Sequence, residues 1–379
     1  MKKKLLLGTT AIIAAGVATS GVAQAAEEPI EAGISGYFRT AMAMISQDNG
    51  DGELADAAQS HSIGNDIEIT VSGSTTLDNG ITAGFSAQIE GNGATAGSEA
   101  LDERFVFFRG GFGQIRVGQV ESARQDMTQF APSGNYNFGV NSPFFIFGNP
   151  GNGSGIFNVR TYDDGLGDED NIKLVYFSPT FNGFRLGASY SPEDGVNGQY
   201  GGNAGDAAAG LQNNLSAAIE YNNNFGDFAI RLMAGMEQYV LERCNASAAT
   251  QTCENNPTST QWGGQISFGS WAIGGGYLET EQITHSNNGT VREREDWDLG
   301  VSYWAGNYGI GLAYGSAEVD QATNDTDSFE IMELNATYVL GPGIDVGAAI
   351  RKGEFDDATA GANLDNEFTE VGFSAALSF

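Results

Sequence analysis

The chain has 379 residues, 17 of them basic and 48 acidic, for a net charge of −31. A balance this negative excludes a nucleic-acid binder, whose phosphate contacts need Lys and Arg. Gly is abundant at 54, Pro is scarce at 8, and hydrophobic residues make up 41% with a mean hydropathy of −0.22, low for a large soluble core. A soluble acidic exoprotein and a polar-lined membrane barrel both fit these figures.

Lys2, Lys3 and Lys4 form a positive n-region, Leu5 to Val17 an apolar h-region, and Ala23-Gln24-Ala25 a small-x-small cleavage site. This reads as a secretory signal peptide over 1–25, cut before Ala26, because the apolar run is too short to span a bilayer. An uncleaved anchor is the alternative. Cleavage removes three basic residues and no acidic ones, so the charge of the remaining chain falls to −34. After Ala26 no uninterrupted apolar run reaches 18 residues. Any membrane crossing in 26–379 is therefore made by strands, since only helices and closed barrels satisfy the backbone in lipid.

Period-two alternation recurs down the chain. It predicts strands near 33–46, 63–76, 81–90, 102–110 and 113–120, then an insertion over 121–169. Strands resume near 171–178, 184–191, 211–222, 227–241, 259–268, 271–281, 292–304, 308–318, 327–340, 343–353 and 366–379. In Asp66 to Ser72 the set Ile67, Ile69, Val71 faces away from Asp66, Glu68, Thr70, Ser72. Leu77-Asp78-Asn79-Gly80 follows as a hairpin turn. Trp297, Leu299, Val301 and Tyr303 alternate with Asp296, Asp298, Gly300 and Ser302. Tyr308, Ile310, Leu312 and Tyr314 alternate with Gly309, Gly311, Ala313 and Gly315. Seven connections are tight and eight are longer, in strict alternation, as a sixteen-stranded antiparallel up-and-down transmembrane β-barrel requires. A β-sandwich would show the alternation too. Strand-end aromatics (Tyr190, Tyr221, Trp262, Trp271, Tyr277, Tyr303, Trp304, Tyr308, Tyr314, Tyr338), a water-compatible second face and strands of about 9–12 residues favour the barrel. The signal peptide puts the short turns and both termini on the periplasmic side and the long loops outside.

Parity from the apolar neighbours points Arg39, Arg116, Lys173 and Arg185 inward. Arg104 is assigned inward with them, although its strand is apolar on both faces and has the character of a subunit interface. The 121–169 insertion carries Phe130, Tyr136, Phe138, Phe144, Phe145 and Phe147 and ends in Asp163, Asp164, Asp168, Glu169 and Asp170. Cys244 and Cys253 share one predicted loop, where an oxidising compartment permits a disulfide. Asp48, Asp51, Glu53 and Asp56 offer oxygens of the kind calcium takes. A solvated acidic loop accounts for them more simply, and no cofactor is otherwise implied. His61 and His285 fall at loop edges and give no support to a Ser-His-Asp or zinc site. Glycines at 148–155 and 195–210 lack a following Lys-Ser/Thr and read as loop punctuation.

Strand 16 ends flush at Phe379, with Val371, Phe373, Ala375, Leu377 and Phe379 on one face, as a strand that closes a barrel against strand 1 must. Together with the signal peptide, Ile34-Ser35-Gly36-Tyr37 and Gly111-Phe112-Gly113-Gln114-Ile115-Arg116-Val117-Gly118-Gln119, this end resembles general porins of Gram-negative bacteria, most of all the alphaproteobacterial, Rhodobacter-type group. The resemblance implies a homotrimer in the outer membrane, in contact with its lipid and lipopolysaccharide. It also implies a third extracellular loop folded inward as a constriction, and a terminal Phe379 read by the barrel assembly machinery. On that basis Arg39, Arg104, Arg116 and Lys173 face the carboxylates of the 121–169 loop across an eyelet. Salt bridges tying loop to wall, or a loop packed on the rim, are the other readings. Where the family often carries an arginine on strand 2, this chain has Glu68, which favours cations. The function implied is passive diffusion of ions and small hydrophilic solutes, not enzymatic catalysis. The alternative is a substrate-specific channel or a surface-binding barrel.

Overall fold

A computed structural model describes residues 29–47, 59–91, 101–135, 137–141, 158–162, 171–193, 211–241, 256–281, 293–320, 326–356 and 365–379. These residues contain sixteen strands: β1 Glu31–Gln47, β2 His61–Thr76, β3 Thr82–Glu90, β4 Leu101–Gly110, β5 Gly113–Gln119, β6 Ile172–Phe177, β7 Phe184–Glu193 and β8 Leu211–Phe225; then β9 Phe228–Leu241, β10 Thr258–Phe268, β11 Trp271–Glu281, β12 Glu293–Ala305, β13 Tyr308–Asp320, β14 Thr326–Gly341, β15 Ile344–Asp356 and β16 Asn366–Ser378. One short helix, α1 Ala123–Asp126, follows β5. Each strand pairs antiparallel with its neighbours in sequence, and β1 pairs with β16, which closes the barrel. The strands are more uneven than their alternation suggests, from 6 residues in β6 to 17 in β1. Ladder pairing continues past the apolar stretch wherever a neighbour extends, as β8 does to Phe225 beside Phe228.

The seven tight turns lie at one end. At the β2–β3 turn Leu77 N donates to Ile81 O and Gly80 N to Leu77 O, both at 2.8 Å. Gly80 sits at φ +80°, a conformation glycine takes without the Cβ penalty. The strand ends that border the eight remaining connections lie at the opposite end.

The alternation sorts side chains into an outer and an inner face. Leu174, Leu186, Leu232, Ile273, Leu299, Ile310, Leu334 and Ile350 stand outward and exposed. Two aromatic belts bound this apolar band. Near the turns, Phe184–Tyr221, Phe228–Phe268, Trp271–Tyr303 and Tyr308–Tyr338 are cross-strand pairs with ring centroids 4.5–4.7 Å apart. Toward the long connections, Trp262–Tyr277 and Trp297–Tyr314 meet at 5.1 and 5.2 Å. Beyond that second belt the outer face turns acidic. Glu279 opposes Glu295, Glu295 opposes Glu318, and Glu354 opposes both Glu330 and Glu367. Like charges placed directly opposite one another are tolerated only in water, so this row marks where the apolar band ends.

At the seam, Gly36 N donates to Phe379 O at 3.1 Å and Phe379 N to Gly36 O at 3.0 Å. A Cβ at Gly36 would collide with the Glu68 carbonyl oxygen on β2 and come within 3.2 Å of the Phe379 ring. Gly36→Val is expected to destabilise the barrel by about 1–3 kcal/mol, the usual penalty of overpacking, seen as a lower urea midpoint in detergent micelles.

Candidate functional site: the inner wall and the segment between β5 and β6

The inner face is polar and, on most strands, buried. Asp66, Glu237, Gln261, Asp296, Asp298, Glu333, Asn335, Arg351 and Glu370 all fall in the buried class. A buried carboxylate needs partners, and many of these partners come from the residues between β5 and β6.

The segment starts at α1. Ser122 caps the helix, its hydroxyl accepting from Gln125 N at 3.3 Å and donating to Glu237 Oε2 at 3.0 Å. Arg124 is 1% exposed, and it donates to Glu237 Oε2 at 2.7 Å and to Gln261 Oε1 at 3.0 Å. The backbone N–H groups of Ala123 and Arg124 donate to Ser189 on β7 and Ser216 on β8. Beneath them Val120, Ala123 and Met127 pack against Val175, Phe177, Ala218 and Met233. Further on, Ala131 N donates to Asp298 Oδ1 at 2.7 Å and Gly134 N to Asn335 Oδ1 at 2.9 Å. Asn135 reaches Ala336 O on β14 and Asn137 reaches Ser374 on β16. Phe138 lies 4.8 Å beneath the Arg351 guanidinium, which ion-pairs with Glu333 and, at 3.3 Å, with Glu370. The chain comes back over β12, where Arg160 N donates to Asp296 Oδ1 at 2.8 Å and Thr161 Oγ1 donates to Asp298 Oδ2.

The small inner residues of β10 to β13 have their explanation here. A Cβ on Gly311 would strike the backbone of Gly134, one on Gly263 the carbonyl of Gln129, and one on Gly300 would come 3.0 Å from the Ala131 Cβ. The alternation of Tyr308, Ile310, Leu312 and Tyr314 with Gly and Ala thus pairs an outer band with a groove for main chain.

The sequence-derived residues fall into two groups. On β1 and β2, Arg39 ion-pairs with Asp66 and stacks on Tyr37 at 4.6 Å. Glu68 accepts from the Tyr37 hydroxyl at 3.1 Å and from Gln88 Nε2 at 2.9 Å, and is directly opposed by Glu90 on β3. On β5 and β6, Arg116 pairs with Asp126 at 2.8 Å and lies over Phe177, while buried Lys173 donates to Asn171 O at 3.3 Å. Arg104 differs from its expected orientation. It shares the parity of Val106 and Phe108, both exposed on the outer face, and its cross-strand partner on β3 is Ala87. Phe105 packs beside the α1 cluster and takes the inner parity, so Arg104 turns outward. Asp163, Asp164, Asp168, Glu169, Asp170, Asp48, Asp51, Glu53, Asp56, Cys244, Cys253 and His285 lie outside the described residues, as does 1–28. Sequence reasoning missed Glu90, Glu237, Asp298 and Glu333, whose signal was a carboxylate on the inner parity.

At the base of the segment, loss of hydration pushes the Glu121 carboxyl up to about 8, reinforced by Glu103 and Asp126 and opposed by Arg116 and Lys173. The folded value lies above the ordinary 4.5. The stabilising proton is therefore held fully at low pH, and stability declines as pH climbs through that interval. Glu121→Gln is expected to flatten this decline, measured as a smaller difference between urea midpoints at acid and alkaline pH.

The sequence matches the family model described as Gram-negative porin over residues 9–358. A monosaccharide porin from a Halomonas species is 27% identical over 234 residues, covering 58% of this chain and 59% of that protein. Among solved structures, the trimer form of Vibrio cholerae OmpT superposes with a TM-score of 0.62 at 14% identity, over 93% of this chain and 100% of that one. The anion-selective porin from Comamonas acidovorans gives 0.62 at 16%, with the same coverage. A mutant of the Rh. blastica porin gives 0.52 at 17%, over 92% of this chain and 100% of that one. Identities this low speak for the fold alone.

Proposed function

The chain belongs to the Gram-negative porin family, non-enzymatic diffusion channels of the outer membrane, and on that premise we propose a water-filled, cation-preferring pore narrowed by the segment between β5 and β6. The observation that carries the narrowing is a contrast in exposure around one inner wall. On β9 to β16 Glu237, Asp296, Asp298 and Arg351 are buried and bonded to that segment, whereas Glu68, Thr70, Gln88 and Glu90 on β2 and β3 stay partly open. The opening then runs beside β1 to β4. There Arg39 is neutralised by Asp66, and Glu68 and Glu90 stand directly opposite each other and set the local sign, with Arg109 on the same face nearer the turns.

In the same reading, residues 1–25 are the cleaved signal, 121–169 is the constriction loop with its acidic run on the eyelet, and Cys244 and Cys253 form a loop disulfide. The chain is a homotrimer, for which the trimer form of the Vibrio protein offers a precedent of fold. Arg104 supports an interface on the β2–β5 side. An arginine on the outer parity costs up to about 2–4 kcal/mol in lipid, depending on depth, and a neighbouring subunit removes that exposure. Phe379 serves as the assembly signal, and the Rh. blastica porin is one of several porins whose fold the chain shares.

One observation favours a second reading, a sugar-selective channel. Tyr37, Phe105 and Phe107 take the inner parity, and the Halomonas relative is described as a monosaccharide porin. Saturable sugar flux in proteoliposomes would select that reading, and flux linear in concentration the diffusion pore.

Reversal potentials across a planar bilayer in a KCl gradient are expected to show potassium preference. Glu68→Gln should reduce the permeability ratio by up to about sevenfold, since one unit charge at about 7 Å in water favours the cation and disfavours the anion by about 0.6 kcal/mol each. Chloride preference in the unmodified protein would sink the charge assignment.

A further inference from the structure

The contacts that fasten the segment are not equivalent. Glu237 holds only its first limb, through Ser122 and Arg124. Asn335 and Ser374 likewise grip that limb, at Gly134 and Asn137. Asp296 takes only the returning limb, at Arg160 N. Asp298 takes both. Its Oδ1 accepts from Ala131 N at 2.7 Å and from Gly276 N of β11 at 2.8 Å. Its Oδ2 accepts from Asn141 Nδ2 at 3.2 Å and from Thr161 Oγ1. One carboxylate thus ties residues 131, 141 and 161 of the segment to two adjacent strands. Gln261 on β10 assists from the side, accepting from Arg124 and Thr128 and donating to Thr161 O.

The chemistry suits a clamp. All four donors are neutral, and two of them are backbone N–H groups that have this carboxylate as acceptor in a site that is 3% exposed. A buried N–H deprived of its acceptor is costly, so loss of the carboxylate is relieved by movement of the segment toward water. The wall cannot yield, because β11 and β12 are held in an eleven-pair ladder. The groove beneath is lined by Gly276 and Gly300, which offer no side chain to hold the limb in place.

We propose that Asp298 is the positioning residue that sets the size limit of the channel, by clamping both limbs of the segment against β11 and β12. This rests on the pore reading above. Asp298→Ala is expected to lower single-channel conductance about twofold and to reduce severalfold the rate at which a trisaccharide, relative to a pentose, enters proteoliposomes, because a segment released from β11 and β12 moves into the opening beside β1 to β4. Asp298→Asn, which keeps an acceptor oxygen, should move both readouts less. A purely structural role would lower the unfolding midpoint while leaving the trisaccharide-to-pentose ratio unchanged.

A covalent substitute for the clamp separates these cases. Ala131→Cys with Gly300→Cys joins segment to wall where a Cβ on Gly300 meets that of Ala131. In an Asp298→Ala chain also carrying Cys244→Ser and Cys253→Ser, the oxidised cross-link should restore the original size limit, and reductant should abolish it. An unchanged ratio in a folded, heat-modifiable Asp298→Ala barrel would overturn the proposal, as would a widened limit, or a narrowed one that the oxidised cross-link does not reverse. If Asp298→Ala fails to assemble, the Asn variant and its cross-linked form decide by the same criteria. Absence of conductance in the unmodified protein would instead remove the pore reading.

Discussion

Hydrocarbon offers no partner to a peptide N–H or C=O, so each must be paired within the protein. The rest of this structure follows from how that requirement is met. Sixteen strands pair in sequence order, and the ladder from Tyr37–Ser378 to Gln47–Phe368 joins the last to the first. Closure leaves no open edge. It also separates two solvents, an apolar one outside and water within, and every strand residue belongs to one or the other. The outer face answers with Leu, Ile and Val between aromatic belts. The inner face answers with carboxylates, amides, hydroxyls and glycine.

A polar inner wall would normally be satisfied by water. Here the wall of β7 to β16 is matched instead by backbone and side chains of the segment following β5, through Ser189, Ser216, Glu237, Asp298, Asn335 and Ser374. Two features make the match. Glycine and alanine on β10 to β13 leave space for main chain, and carboxylates beside that space accept its N–H groups. Buried charge is balanced where it is concentrated. Arg351 lies between Glu333 and Glu370, and Arg124 against Glu237. In the proposed arrangement the segment uses up the hydrogen-bonding capacity of one side of the lumen and leaves the β1–β4 side to solutes.

The strands were legible because burial follows parity along β10 to β16. Trp297 and Asp298 could be assigned to opposite faces from alternation alone, and predicted strand limits agree with the structure to within a few residues. Arg104 was misassigned for the same reason in reverse. Its strand is apolar on both faces, so parity carries no signal there, and contact between Phe105 and the α1 cluster decides the matter. The roles of Glu237, Asp298 and Glu333 were invisible. Most of their partners lie more than a hundred residues away in sequence or on a neighbouring strand, and alternation says which face a side chain takes but not what covers it. The glycines of β13 were read correctly as small and polar-facing, yet their purpose depends on Gly134, which no local pattern connects to them.

The central claim is that solutes pass beside β1 to β4 while the segment covers the opposite wall. Thiol accessibility tests it most directly. Single cysteines at Thr70 on β2 and Ala313 on β13, in a chain with Cys244→Ser and Cys253→Ser, would be exposed to a bulky methanethiosulfonate during single-channel recording. A stepwise fall in conductance for Thr70→Cys and none for Ala313→Cys is the predicted result. Block at Ala313→Cys, or silence at Thr70→Cys, would contradict the account.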